Sequence, residues 1–258
     1  MKPTAREEMV VREFWTGTGL ADCFPRDIET AVALKLPLTL VKVPLVNVHA
    51  VRQWLETRRL RAAIPPEPGE LMGCLVAYRG FGVAFICGAD SAEEQRLTVA
   101  HEAAHFLQDY LHPRREILAA LGEGIAEVLD GHRPPTFAER ANAVLSHLQV
   151  GVHVHLLPRN DTRGVTESLV EAVEDRADRL GLELVAPHKR VQEAYRAESG
   201  SSRQGTNIAA ALGLQFGLPS YVFSSLTAQP TQRAPISFLD DIRFALAARA
   251  ARPPYGKP

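Results

Sequence analysis

The sequence is poor in cysteine and has neither a long apolar run nor an excess of one charge. Its three cysteines, Cys23, Cys74 and Cys87, form no C-x-x-C pair and leave one thiol over if two of them bond. That count favours a reducing compartment over a disulfide framework. No apolar run reaches the roughly 18 residues of a membrane span, and the charged start leads into no signal-peptide core. We therefore expect a cytoplasmic protein with no membrane segment.

The charges are almost balanced, with 29 Lys and Arg against 30 Asp and Glu and a formal net charge of −1. Such a balance lacks the general polyelectrolyte signature of nucleic-acid binding. The chain also has no internal repeat and no low-complexity tract. A length of 258 residues is enough to bury a sizeable core, in one domain or in one domain with a small appendage.

The motif that carries chemistry is His101-Glu102-Ala103-Ala104-His105. Two imidazoles one helical turn apart can hold one zinc ion, and the carboxylate beside them can act as a base. Ser91 and Glu94 have the spacing of a capping box, and an apolar stripe follows, so the pattern predicts a helix over 92–111. The stripe comprises Leu97, Ala100, Ala104, Leu107 and Leu111. Both histidines follow a stripe position by one residue, which places them at the edge of the buried face.

A catalytic zinc needs a third protein ligand and an open fourth position. Glu174 is the preferred candidate, because it follows an apolar stripe on a second helix as the histidines do on the first. Asp178, one turn later, would then accept a hydrogen bond from the outer ring nitrogen of one histidine. Glu139 ranks second, in a run that partly imitates the surroundings of Glu174. The other downstream candidates are Glu116, Glu123, Glu127, His112, His132, His147, His153 and His155.

The run from Val152 to Leu157 alternates with a period of two, which predicts a strand with His153 and His155 on one face. The simplest interpretation is a polar strand face. Two others stay open: a second metal-binding pair, or an approach of His155 or His153 to the cleft as a transition-state donor.

The combined motifs resemble the ImmA/IrrE family of zinc metallopeptidases, in which H-E-x-x-H is followed by E-x-x-A-[N/D] and a Leu-rich run ending in Pro. The matching residues are His101, Glu102, His105, Glu174, Ala177, Asp178, Leu184 and Pro187. Residues 73–76 and 83–87, around the turn Arg79-Gly80, resemble the hairpin that precedes the family's metal helix. Glu174 follows His105 by 69 positions, which exceeds the family's usual spacing and makes about 112–165 an insertion or elaborated segment.

The resemblance implies a zinc endopeptidase with one Zn²⁺ per chain and a narrow protein substrate, typically a helix-turn-helix repressor. Cleavage of such a repressor regulates transcription in a stress response or a mobile element. His101, His105 and Glu174 would hold the metal, and Glu102 would take a proton from water and return it to the leaving amine. Two other classes stay open: a non-catalytic zinc-containing regulator that binds protein or DNA, and a zinc-free helical interaction protein.

The expected fold is α+β, with helices, a small antiparallel sheet and a helical C-terminal region. Helices are predicted over 27–36, 47–61 and 189–198, and 82–88 is predicted to be an edge strand that pairs with substrate backbone. We expect a metallopeptidase-like domain over 1–198, and a helical region over 199–258 that ends in a disordered tail.

Within the C-terminal region, 206–216 and 220–226 flank the turn Gly217-Leu218-Pro219 and have a helix-turn-helix outline. No Lys or Arg lies between 206 and 226 to hold phosphates, so a packing unit is favoured over direct nucleic-acid binding. Ser237 and Asp240 are predicted to cap a last helix that runs to about Arg249.

Overall fold

Helices and strands alternate through the first part of the chain and helices follow the last strand, so the predicted α+β class is confirmed. The computed structural model describes residues 2–60, 64, 69–140, 151–159, 168–200 and 205–224. The helices are α1 (Ala5–Trp15), α2 (Ile28–Lys35), α3 (Val48–Thr57), α4 (Ala92–His105), α5 (His112–Leu121), α6 (Ala126–Leu129), α7 (Phe137–Arg140), α8 (Ser168–Val185), α9 (His188–Ser199) and α10 (Gly205–Phe216). The strands are β1 (Leu38–Val43), β2 (Val46–Asn47), β3 (Glu70–Tyr78), β4 (Phe81–Cys87) and β5 (His153–Pro158).

The prediction of an edge strand over 82–88 is wrong, because β4 is paired on both sides. It pairs antiparallel with β3 across the turn Arg79-Gly80, and parallel with the whole of β1. The short strand β1 was not predicted, and its parallel pairing makes the sheet mixed. Because β1 supplies the missing neighbour, β4 offers no free backbone to an extended peptide.

The strand at the edge nearest the candidate site is β5. In the register of β3, Leu71 pairs with both Val46 and Pro158, so β2 and β5 flank β3 on opposite sides. Within the described ranges β5 pairs with β3 alone. The alternation predicted for this run is confirmed: Val154 and Leu156 pack on one face of the sheet, and the histidines lie on the other.

The helix that carries the two motif histidines begins where the sequence predicts. Ser91 caps it by accepting a hydrogen bond from the backbone N–H of Glu94. The end predicted at residue 111 is not observed, because the chain stays helical beyond it. After His105 the chain continues through π-helical turns over Phe106–Leu111 and then directly into α5. Pro113 does not interrupt it, because a proline in the first turn of a helix loses no helical hydrogen bond.

Helix α8 crosses α4 at a close backbone contact. Its stripe residues Ala177, Leu180 and Leu184 are fully buried, in the same core as Ala100 and Ala104 of α4. A Cβ at Gly181 would lie 3.1 Å from the carbonyl oxygen of Ala100 and 3.2 Å from the amide nitrogen of His101. The two helices therefore touch one residue before the first histidine.

The C-terminal end of α8 is held by the N-terminal part of the chain. The carbonyl of Leu184 accepts hydrogen bonds from Trp15 Nε1 at 3.1 Å and from Arg26 at 2.7 Å. The Arg26 guanidinium also lies over the Trp15 ring, 4.7 Å from its centroid. These contacts satisfy a helix-end carbonyl that would otherwise be buried without a partner.

Helix α10 packs through Ile208, Leu212 and Phe216 into the core that α4 and α8 share. It is followed by a short 3-10 turn over Ser220–Phe223. The division of the chain at residue 198 stays a prediction. The expected helix after Ser237, the tail over 252–258 and the segment 141–150 lie outside the described residues. No helix in the described part of the chain is long and apolar enough to cross a membrane.

Candidate metal centre

The two histidines of the motif point their Nε2 atoms at one another. His101 and His105 are almost completely buried, and their Nε2 atoms are 3.1 Å apart. The Nδ1 atom of His101 lies 2.8 Å from Asp178 of α8, which forms the hydrogen bond expected from the sequence. The Nδ1 atom of His105 lies 2.7 Å from Asp109, in the π-helical turn. Each imidazole is therefore oriented by a carboxylate on its outer side.

Asp109 was not among the predicted site residues. It stands four positions after His105, so a carboxylate one helical turn beyond the second histidine was the signal available in the sequence. The two carboxylates fix both rings with a proton on Nδ1, which leaves a lone pair on each Nε2. Two lone pairs that face each other at 3.1 Å repel unless a proton or a cation lies between them.

Glu174 brings a third lone pair to the same place. Its Oε2 atom lies 3.7 Å from the Nε2 atom of His101 and 3.7 Å from that of His105. A point equidistant from these three atoms is about 2.0 Å from each, within the range of Zn–N and Zn–O bonds. The donor set therefore fits a small divalent cation, and the side chains that form it are almost completely buried.

Glu102 lies outside this triangle and has no exposed surface. Its Oε2 atom is 3.1 Å from His155 Nδ1, and its Oε1 atom has no hydrogen-bond partner among the described residues. A Cβ at Gly73 of β3 would lie only 2.7 Å from this Oε1 atom. The glycine thus provides the space that Glu102 occupies beneath the sheet.

His155 projects from β5 into the same cluster. Its Nε2 atom lies 3.1 Å from Glu174 Oε1, and its ring stacks on that of His105 with centroids 3.7 Å apart. One donor atom from each of His101, His105, His155 and Glu174 lies within 4.8 Å of the other three. These four residues form a group that could hold a metal ion.

The electrostatics of the cluster without an ion follow from the facing carboxylates. Burial lowers the pKa of His155, but Glu102 and Glu174 outweigh it and raise that pKa to about 10. Burial raises the pKa of Glu174, but its contacts with His105 and His155 lower that pKa by more, so the net shift is strongly downward. The negative charge that faces the three imidazoles is therefore balanced only when a proton or a cation lies among them.

Three of the other candidates, Glu139, His132 and His153, have contacts of their own, and His147 lies outside the described residues. Glu139 forms a two-pronged ion pair with Arg133, at 2.9 and 2.8 Å, and caps α7. His132 contacts Arg79 and Tyr78 at the hairpin turn, and His153 lies beside the Tyr110 ring. Burial lowers the pKa of His153 to about 4, so the imidazole is neutral at physiological pH. Neither histidine belongs to the four-residue group.

A cleft of about 650 Å³ opens beside the centre. Its lining includes His105, Asp109, His153, His155, Val173 and Arg176. The charged groups on its wall are paired, since Arg176 contacts Asp109 and Arg179 contacts Glu7. The cleft gives a ligand of side-chain size access to the buried cluster.

Comparisons of the chain with family models, with characterised proteins and with solved structures find no match. The likeness to the ImmA/IrrE peptidases therefore rests on the motif residues and the hairpin described above.

Proposed function

We propose that this chain is a zinc-dependent endopeptidase. The observation that carries the proposal is the convergence of three buried donor atoms on one point, with the carboxylate of Glu102 beside them but outside the triangle. A structural zinc site has four protein ligands and needs no additional carboxylate base. A peptidase needs both the metal and a base that does not bind it.

His101, His105 and Glu174 would hold the ion, with Asp178 and Asp109 orienting the two imidazoles. When bound, zinc lowers the pKa of water and polarises a carbonyl group. Glu102 then has the place of the general base: it accepts a proton from the attacking water and delivers it to the leaving amide nitrogen. Its burial keeps the carboxylate away from bulk water, which strengthens its interaction with the reacting groups.

A protein substrate is favoured by the surface around the centre. Among the described residues, the edge of β5 that faces away from β3 has no partner strand, so an extended peptide that adds to this edge would place its backbone next to the cluster. The adjacent cleft can take a side chain of such a peptide. The resemblance to ImmA/IrrE peptidases adds a helix-turn-helix repressor as the proposed substrate, within the cytoplasm.

The decisive experiment compares the wild-type protein with Glu102→Gln. Both are loaded with zinc, incubated with a peptide library and with any helix-turn-helix repressor encoded beside the gene, and analysed by mass spectrometry for new peptide termini. Glutamine cannot accept the proton, so cleavage should fall by about 10² to 10⁴-fold while bound zinc stays near one per chain. Equal cleavage by both proteins, or new termini that persist after chelation, would rule out this mechanism.

One observation favours the non-catalytic zinc regulator as the second candidate. Glu102 is hydrogen-bonded to His155, so one oxygen of the proposed base is engaged inside the protein. A regulator would not need Glu102 as a base. If Glu102→Gln retains the full biological effect with zinc bound, this second function replaces the first.

A further inference from the structure

His155 has the surroundings of a metal-binding histidine. Each of the three imidazoles in the cluster has one ring nitrogen on a carboxylate: His101 on Asp178, His105 on Asp109 and His155 on Glu102. Metal-binding histidines usually carry such a partner on the nitrogen that faces away from the ion. The other ring nitrogen of His155 lies 3.1 Å from Glu174.

We infer that His155 is a fourth, displaceable protein ligand that closes the open side of the metal centre. This inference rests on the proposed function, because it describes a resting state of the same site. The side chain enters from β5, whereas the other three ligands come from α4 and α8. It thus closes the side of the donor triangle that would otherwise be open to water or a peptide carbonyl.

Only a small movement separates the present geometry from four-fold ligation. Ligands around a tetrahedral zinc are separated by roughly 3.4 Å, given bonds of about 2.0 to 2.1 Å. The four donor atoms lie within 4.8 Å of one another, so the widest separation must close by at most about 1.4 Å. The necessary shift is available to β5, since it pairs with β3 alone among the described strands.

Ligation by His155 would also occupy the base. Glu102 Oε2 lies 3.1 Å from His155 Nδ1, so the same carboxylate that would activate water orients the fourth ligand instead. The resting site is then latent, because neither the fourth position nor this oxygen is available to substrate. A peptide that binds along β5 and displaces the imidazole would free both together.

The test uses full-length apo-protein loaded with cobalt(II), whose visible bands report coordination number where zinc is silent. Azide is the probe, because it binds an open coordination position and needs no substrate. Wild-type cobalt bands should be unchanged by azide, whereas those of His155→Ala should shift with azide and with added imidazole. His153→Ala is the matched control: it removes the other histidine on the same strand face, and should behave as wild type.

Metal affinity gives a second measurement. Chelator competition should show zinc bound at least about tenfold more weakly by His155→Ala than by wild type, with no such loss in His153→Ala. A wild-type spectrum that shifts with azide would overturn the inference, and that measurement requires no variant. If wild type binds neither cobalt nor zinc, the proposed peptidase fails as well, so the two failures are distinguishable.

Discussion

At the scale of single residues, the candidate centre depends on two carboxylates that lie outside the donor triangle. Asp178 and Asp109 come from different elements, and each holds the Nδ1 atom of one motif histidine. Burial raises the pKa of Asp109, but its contacts with His105 and Arg176 lower it by more. The carboxylate therefore stays ionised and keeps the imidazole in the tautomer that exposes Nε2 to a metal.

Replacing either aspartate by alanine should weaken zinc binding without abolishing it. We expect Asp178→Ala and Asp109→Ala each to lose about 10 to 100-fold in affinity, because the imidazole loses the group that fixes its tautomer and orientation. Competition with a metal-binding dye measures this. Asp22→Ala serves as the control, since Asp22 is exposed and its ion-pair partner, Arg190, is not in the cluster. Wild-type affinity in both variants would contradict the assignment.

Replacing Gly73 should move the Glu102 carboxylate and leave the metal ligands in place. A Cβ at this position would lie 2.7 Å from Glu102 Oε1 and 2.6 Å from the Thr98 methyl group, so Gly73→Ala must displace the carboxylate. We expect cleavage to fall by about 10²-fold with zinc content unchanged, because a shift of about 1 Å in a catalytic group has an effect of that size.

Gly82→Ala is the matched control for Gly73, because its Cβ would meet Phe106 and Leu38 and not Glu102. It should lower the stability of the fold but not lower kcat selectively in the remaining folded protein. Equal loss of kcat in the two variants would show that the effect of Gly73 is a general packing effect.

At the scale of elements, the crossing of α4 and α8 sets the distance between the histidine pair and Glu174. At Gly181 the backbones approach so closely that a Cβ would lie 3.1 Å from the Ala100 carbonyl. Neither backbone can move aside locally, since both helices are buried on this face. The helix pair is therefore a rigid support for three of the four cluster residues.

Gly181→Ala should separate the two helices. Alanine favours a helix by about 0.5 to 1 kcal/mol over glycine, but overpacking against backbone costs about 1 to 3 kcal/mol, so we expect net destabilisation. Urea unfolding measures this, and zinc affinity should fall with it. Gly124→Ala, where a Cβ meets no atom within 4 Å, should show neither effect. A more stable protein with unchanged affinity would mean that the crossing does not set the site.

At the scale of the whole molecule, the metal would join parts of the chain that are far apart in sequence. Glu174 lies 69 positions after His105, yet the two side chains share one donor triangle. An ion that binds the folded chain and not the unfolded chain stabilises the fold by an amount that grows with its concentration, about 4 kcal/mol at a thousand times Kd.

Chelation should therefore lower the unfolding temperature of the wild-type protein. Glu174→Gln should lose most of the zinc-dependent rise in Tm, because it removes a ligand that links α8 to α4. Glu139→Gln should keep that rise, since Glu139 is paired with Arg133 instead. Calorimetry with and without zinc measures both. The reverse pattern would transfer the third ligand to Glu139.

Local patterns in the sequence predicted the motif helix, the hairpin, the α8 stripe and the hydrogen bond that Asp178 accepts from a motif histidine. These features depend on helical or strand periodicity and on short spacings. Asp109 was missed although it lies only four positions after His105. The other features that were missed depend on pairing between distant segments. Strand β1 is six residues long and pairs with a strand about forty positions later, so nothing local revealed that β4 is internal. The position of His155 depends likewise on how β5 pairs with β3.

The close contact at Gly181 also determines where the chain can tolerate a change of length. One residue inserted after Arg179 would rotate Glu174 and Asp178 by about 100° relative to the contact, which turns both carboxylates away from the histidines. An insertion in the largely exposed stretch 131–136 lengthens a connection, and costs little by comparison. We expect the first insertion to abolish zinc binding and the second to preserve it. The number of residues before α8 therefore says little about which residue is the third ligand. The number of residues between Glu174 and Gly181, in contrast, is fixed by the geometry of the site.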